Sequence, residues 1–179
     1  MKRMIVFLLM SLFVSTATLM AQKPEFLEGV GQGYAGEWTH VSRQLVALAE
    51  AIPAEKYAWR PAPGVRSTGE VFMHIAGTNF YFLSRMGHKS PPDFEAVDVA
   101  KVSTDKAKVI DWLKRSLDAV RDAHATVTAA ELKKTAKFVG HEATYEGFYL
   151  RMLIHANEHM GQLIAYARMN GVVPPWSEK

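Results

Sequence analysis

The stretch Thr144–Asn170, TYEGFYLRMLIHANEHMGQLIAYARMN, decides the fold expected for this chain. Its apolar residues recur three and four positions apart, a period that predicts one long helix with an apolar side. Gly171 and two prolines follow, which are typical of the end of a helix. Within this helix His155 and His159 are four residues apart. Two imidazoles therefore project from one side, about one turn apart and about 40° apart around the axis.

Three more stretches have the same period, so the sequence predicts an all-α four-helix bundle. Ser67 and Glu70 form a Ser-x-x-Glu capping box, which indicates where the second helix begins. A short helical turn is predicted at Thr128–Glu131, followed by an extended connector over residues 133–141. The long connection over residues 87–103 could permit a crossover between the second and third helices. The four predicted helices cover about residues 31–51, 68–86, 105–127 and 144–170, and the aromatic residues Trp38, Trp59 and Tyr81 are expected in the core.

The first residues have the layout of a secretory signal peptide. Lys2 and Arg3 precede the apolar run Ile5–Val14, and a small-residue cleavage point follows Ala21. A ten-residue apolar helix would span roughly 15 Å, about half of a bilayer core, so a lasting membrane span is not expected. We therefore expect a leader at residues 1–21, one domain at residues 22–179, and export to the periplasm or the extracellular space.

Composition excludes several classes of function. The chain contains no cysteine, so any metal must be held by histidine, carboxylate or water. Its net charge of +3 falls to +1 once Lys2 and Arg3 are removed with the leader. The remaining Lys and Arg residues form no dense cluster, so a nucleic-acid partner is not expected.

Histidines are the residues that carry chemistry in this sequence. His155 and His159 have the spacing with which one helix offers two nitrogens to one metal ion. His74, in the second predicted helix, could complete a site of three nitrogens if that helix lies beside the fourth. His124 lies on the apolar side of the third helix and is the reserve candidate. Taken alone, each of these residues is more often a hydrogen-bonded core histidine than a metal ligand.

Two polar residues could support the histidines. Glu70 could orient His74, although its place in the capping box is the simpler explanation of this residue. Gln162 is on the same side of its helix as His155 and could contact a ligand of the metal. Glu158 is expected to be solvated, and Ala156 stands where a zinc protease motif has its glutamate, so no general base is evident.

Three segments of the chain together resemble the DinB-like family of metalloproteins, also described as DinB/YfiT-like. The likeness extends over about residues 25–176, and it is the ordered combination of segments that makes it specific. In the family a basic or histidine-rich stretch usually precedes the Gly-Gln pair, where this chain has Met160. The segments are YAWRPAPGVRSTGEVFMHIA at 57–76, LIHANEHMGQL at 153–163 and RMNGVVPP at 168–175.

The resemblance implies a four-helix bundle, often a homodimer, that holds a divalent metal through three histidines. On this chain those residues are His74, His155 and His159. Zinc or nickel is the metal expected first, although imidazole also suits iron and copper. Three neutral imidazoles leave a coordination position open, as in catalytic zinc sites.

The resemblance extends less well to activity. Relatives include transferases that use low-molecular-weight thiols and an isomerase, but such thiols are scarce outside the cytoplasm. The first hypothesis is a metal-dependent hydrolase or transferase that acts on a small molecule. The alternatives are a non-catalytic module of the cell envelope that binds a metal or ligand, and a structural bundle without metal.

Overall fold

The computed structural model describes residue 29 and residues 32–177 of the chain. The predicted leader at residues 1–21 lies outside the described residues. Within the described part, the elements are α1 (Gly33–Ala51), α2 (Thr68–Arg85), α3 (Pro92–Glu95), α4 (Val99–Val102), α5 (Lys106–Thr126), α6 (Ala129–Leu132), β1 (Thr135–Phe138), β2 (His141–Thr144) and α7 (Tyr145–Met169), with 3₁₀ turns at Ala54–Lys56 and Pro175–Ser177.

The predicted four-helix bundle is confirmed. Helices α1, α2, α5 and α7 form it, and their ends agree with the predicted ends to within two residues. Both α1 and α2 pack against both α5 and α7. Every described helix is too short or too polar to span a lipid bilayer.

The helix starts follow the capping signals of the sequence. Ser67 and Glu70 exchange both hydrogen bonds of the predicted capping box at the start of α2. Thr128 and Glu131 do the same for α6. Thr144 accepts a hydrogen bond from the third residue of α7, which fixes where the helix with the two histidines begins.

Helices α2 and α5 are parallel, so a crossover joins them. Gly69, at the start of α2, lies against Ser103, just before α5. Farther along both helices, the Asn79 amide donates to the Ser116 hydroxyl over 3.3 Å. The long connection therefore returns the chain from the end of α2 to the level of its start. The connection includes the short helices α3 and α4, neither of which was expected from the sequence. For α3, Pro91 and Pro92 look like stop signals, but a proline in the first turn is also typical of the start of a helix.

The extended connector expected at 133–141 is a β-hairpin. Strands β1 and β2 pair antiparallel, with Phe138 opposite His141. Val139 and Gly140 form the turn, and both have positive φ, at 48° and 80°. Two-residue hairpin turns often require positive φ, which valine seldom adopts. For this reason no hairpin turn was expected at Val139 from the sequence. Arg85 at the end of α2 donates two hydrogen bonds to the carbonyl of Lys137 and holds the hairpin in place.

Buried aromatic residues join the helices. Trp38 is buried, and its indole donates to the carbonyl of Leu117 over 3.0 Å, which links α1 to α5. Trp59 is partly buried, with its ring edge against Tyr166. The expectation for Tyr81 was wrong: its side chain is 48% exposed. It stands on the same side of α2 as His74, and this side is left open between the crossover and α7.

Candidate metal site

Three imidazoles meet where α2 and α7 lie side by side. The ring centres of His74 and His155 are 4.9 Å apart, those of His74 and His159 are 4.8 Å apart, and those of His155 and His159 are 4.5 Å apart. One nitrogen from each ring falls within 4.8 Å of the other two. Helices α2 and α7 are antiparallel. His74, in the first half of α2, therefore meets His155 and His159 in the middle of α7. This is the convergence that the sequence required but could not show.

The nitrogen atoms are spaced as ligands of one ion would be. Nε2 of His74 and Nε2 of His155 are 3.1 Å apart. Two nitrogens bound to one tetrahedral zinc, each at 2.0–2.1 Å, lie about 3.3 Å apart. Without a cation, one ring must donate a proton to the other. A shared cation allows both rings to direct a lone pair at the same point, so the residues present fit a divalent metal.

Burial keeps two of the rings in the form that binds a metal. It lowers the pKa of His74 to about 4, with smaller contributions from Arg66 and His159. The pKa of His155 is also lowered to about 4, first by burial and then by His159, His74 and Arg151. Both imidazoles are therefore neutral at pH 7, and neutral imidazole is the ligand form.

Gln162 fixes the orientation of His159. The amide oxygen of Gln162 is 2.8 Å from Nδ1 of His159, so that nitrogen carries the proton and donates it. This leaves Nε2 of His159 free, with its lone pair available to a metal. The amide nitrogen of Gln162 donates to the Tyr166 hydroxyl over 2.7 Å, and Tyr166 donates to the carbonyl of Arg66 over 3.3 Å. Contact of Gln162 with a ligand of the metal stays a prediction. Tyr166 had no role in the sequence-based expectations, and its only signal was its position one turn farther along the same side of the helix.

The carboxylates near the histidines are already engaged. Glu70 accepts from the backbone N–H of Ser67 over 2.7 Å and from the Arg60 guanidinium over 3.1 Å. The Ser67 N–H, followed by Arg60, holds the pKa of Glu70 below its usual value. No hydrogen bond in the described residues joins Glu70 to His74, so the structure shows its capping role, and orientation of His74 stays a prediction. Glu158 is half-exposed, as expected, and pairs with Arg151 over 2.8 Å.

One ring nitrogen of His155 forms no hydrogen bond with any described residue. Its Nδ1 atom is fully buried and has no hydrogen-bond partner in the described part of the chain. A buried polar atom without a partner costs about 1–3 kcal/mol, and such atoms are concentrated where function overrides stability. The other ring nitrogen of His155, Nε2, lies 3.1 Å from Nε2 of His74, and this contact holds the ring in place.

The remaining candidate histidines lie elsewhere. His124 lies against Tyr34, with the two rings tilted by 32° and their centres 4.2 Å apart, and it makes an edge-on contact with Tyr149. These residues are at the end of the bundle where α1 and α7 begin, so the reserve candidate does not join the cluster. His88 and His141 are exposed.

A cavity of about 620 Å³ adjoins His74. This volume is typical of sites for small molecules. One wall is the open side of α2, and the other is the crossover, which contributes Phe94, Val99 and Ala100. Arg66 also lines the cavity. Nothing in the sequence distinguishes this arginine from the other exposed arginines, so no role was expected for it. His74, one of the three histidines, thus lines a pocket large enough for a substrate.

Comparisons with known proteins show the family and support the fold. The family model of the DinB superfamily matches residues 37–163. A DinB-like protein from Bacillus cereus ATCC 10987 has 22% identity and a TM-score of 0.70, with 83% of this chain and 98% of that chain covered. YfiT from Bacillus subtilis, described as a probable metal-dependent hydrolase with an unusual four-helix bundle topology, has 15% identity, a TM-score of 0.62 and coverage of 84% and 94%. The DinB-like YjoA from Bacillus subtilis has 20% identity, a TM-score of 0.53 and coverage of 77% and 91%. No functionally curated protein matches the chain significantly.

Proposed function

Since the chain belongs to the DinB superfamily, we propose that it binds one divalent metal ion through His74, His155 and His159 and acts as a metal-dependent hydrolase or transferase on a small molecule. The observation that carries the proposal is the meeting of three imidazoles, with two Nε2 atoms 3.1 Å apart. One of the three, His74, lines a cavity of about 620 Å³. The description of YfiT as a probable metal-dependent hydrolase supports the class of reaction.

The roles of the residues follow from their contacts. His74, His155 and His159 hold the metal, and when bound it supplies a Lewis acid with an open coordination position that can polarise a carbonyl. Gln162 keeps the proton of His159 on Nδ1. The walls of the cavity exclude part of the solvent from the reacting molecule and orient it. Zinc or nickel is the metal we expect first, because both accept imidazole readily.

Metal analysis tests this proposal directly. The protein is purified with a tag that contains no histidine, loaded with Zn²⁺ or Ni²⁺, exchanged into metal-free buffer and analysed for metal per chain. We expect about one ion for the wild type and almost none for the double variant His155→Ala/His159→Ala. The matched control His88→Ala/His141→Ala removes two exposed histidines and should keep the ion. Equal metal content in both double variants would refute the site.

Catalysis is tested separately from metal binding. The loaded protein is assayed with esters, amides and acceptors of small thiols, and turnover should disappear in the variant that lacks the two α7 ligands. Turnover that survives in that variant would exclude metal-dependent catalysis.

A second candidate is a non-catalytic module that binds a metal or ligand. The observation that favours it is the engagement of the nearby carboxylates: Glu70 with Ser67 and Arg60, and Glu158 with Arg151. Neither is available as a general base in this arrangement. A loaded wild type that binds small molecules but turns none of them over would favour this candidate.

We further propose that the protein is exported and functions in the periplasm or outside the cell. The support is the layout of residues 1–21, with Lys2 and Arg3 before an apolar run and Ala21 before the cleavage point. Expression of the whole chain, followed by fractionation and N-terminal sequencing, should give a mature protein that begins at Gln22. A full-length chain that stays in the cytoplasm would contradict export.

A further inference from the structure

Arg66 stands beside the histidines with a fixed backbone and an uncommitted side chain. Three hydrogen bonds hold its neighbourhood: Arg60 donates to the carbonyl of Val65 over 3.0 Å, Tyr166 donates to the carbonyl of Arg66, and the N–H of Ser67 donates to a carboxylate. The guanidinium makes no hydrogen bond or ion pair with any other residue that the structure describes. It is exposed and lines the cavity next to His74.

The one acidic residue in the described lining of the cavity does not neutralise Arg66. That residue is Glu70, and its two carboxylate oxygens are occupied by the Arg60 guanidinium and the N–H of Ser67. The local balance of the three side chains Arg60, Glu70 and Arg66 is therefore one positive charge. A divalent ion on the adjacent histidines would make this region more positive still.

The remaining walls of the cavity are mostly apolar. Phe94, Val99 and Ala100 of the crossover face Met73 and Tyr81 of α2. Val99 and Tyr81 are 41% and 48% exposed, so their side chains are accessible to a ligand in the cavity. Phe94 is held from behind, since its ring packs against Trp112 with centres 4.9 Å apart. A ligand that fits these walls therefore has an apolar body.

We propose that the small molecule bound here is a carboxylate with an apolar body, and that Arg66 binds its carboxylate while the body lies against Phe94, Val99 and Tyr81. This inference rests on the proposed function, whose substrate class it names. A planar guanidinium offers two parallel N–H donors that match a carboxylate. One arginine without a hydrogen-bond partner among the described residues balances the single negative charge of a carboxylate.

Binding of a chosen probe tests the proposal. The probes are 3-phenylpropanoate, its neutral amide 3-phenylpropanamide, and phenyl phosphate, each titrated into the full chain by NMR in metal-free and zinc-loaded forms. We expect the acid to bind the wild type at least tenfold more tightly than the amide in both forms. Equal affinity for acid and amide, tighter binding of phenyl phosphate, or no binding of the acid in either form would overturn the proposal.

Variants assign the effect to the guanidinium. Arg66→Gln should weaken binding of the acid about tenfold or more and leave the amide unchanged, because one charge-assisted contact is lost. Arg66→Lys keeps the positive charge but lacks the planar guanidinium, so its affinity for the acid should lie between those of the wild type and Arg66→Gln. The matched control Arg168→Gln removes an equal charge from an exposed position of α7 outside this cavity and should bind as the wild type does. Wild-type affinity in Arg66→Gln would overturn the assignment.

The two proposals fail in different ways. If the wild type takes up no metal, the proposed function fails, and the titration of the metal-free protein still decides the role of Arg66. If the metal binds and Arg66→Gln has no effect on the acid, only the present inference fails.

Discussion

The close approach of α2 to the crossover makes a substitution at Gly69 highly informative. A Cβ atom added at Gly69 would lie 1.8 Å from the carbonyl oxygen of Ser103, whereas such atoms essentially never approach closer than 3.0 Å. The crossover or the helix must therefore move by more than 1 Å in Gly69→Ala. The helix is not free to do so, because the N–H groups of Thr68 and Gly69 donate to the carbonyls of Trp59 and Tyr57, each over 2.9 Å.

The two contributions to the stability of Gly69→Ala have opposite signs. Alanine is favoured over glycine inside a helix by about 1 kcal/mol, and by less in the first turn, where this residue stands. Overpacking of a well-packed site costs about 1–3 kcal/mol. Because the clash involves backbone on both sides and Ser103 is buried, the upper part of that range applies. We expect the free energy of unfolding to fall by about 2 kcal/mol.

Gly161→Ala is the matched control. Gly161 is in the interior of α7 and exposed, and an added Cβ would meet nothing within 4 Å. This variant should be more stable than the wild type by about 0.5–1 kcal/mol. Urea unfolding of the metal-free proteins, followed by circular dichroism at 222 nm, measures both values. A Gly69→Ala variant as stable as the wild type would refute the packing described for the crossover.

Three further predictions concern the site and the core. Gln162→Leu should weaken zinc affinity about 10–100-fold, since it removes the group that orients the imidazole of His159, whereas Gln162→Glu keeps an acceptor and should retain the affinity. Competition with a chromogenic chelator measures both affinities, and equal values would contradict the orienting role of Gln162. In the metal-free protein, His74 and His155 have folded pKa values of about 4, below the unfolded 6.5, so their contribution to stability is complete above about pH 6.5 and is lost as the pH falls toward 4. Urea unfolding between pH 7.5 and pH 4.5 checks this sign, and a protein that becomes more stable on acidification in a manner dependent on these residues would disprove it. Tyr57→Phe should cost about 1–2 kcal/mol, because the Tyr57 hydroxyl donates over 2.7 Å to a buried backbone carbonyl of α1. Tyr81→Phe, at an exposed position, should change stability by less than about 0.5 kcal/mol, and equal losses in the two tyrosine variants would argue against the buried bond.

Local signals determined the helices. The capping residues Ser67 and Thr144 and the three- and four-residue period of apolar side chains act within a few residues of each other. For this reason α2 and α7 begin where the sequence predicts. The spacing of His155 and His159 is determined in the same way, since the pitch of a helix brings residues four apart to one side whatever surrounds them.

The hairpin and the exposure of Tyr81 show where local reasoning ends. The turn at Val139 and Gly140 adopts a backbone that valine does not favour by itself, and the pairing of two strands together with the hold of Arg85 on Lys137 stabilises it. Tyr81 was expected in the core because it is a large aromatic residue. Its exposure depends on where the crossover passes, which the sequence of α2 does not contain.

The sequence by itself determined that His155 and His159 share one side of a helix and that His74 is in a second helix. Only the tertiary structure decided that these helices are antiparallel neighbours, and so that His74 reaches the other two rings. Tertiary structure also decided that the crossover forms a cavity beside His74, and that Arg66 lines this cavity without a hydrogen-bond partner among the described residues. The physical reason is the range of the forces: hydrogen bonds within a helix fix geometry over four residues, whereas the choice of neighbouring helices depends on the packing of apolar surfaces that are far apart in the chain.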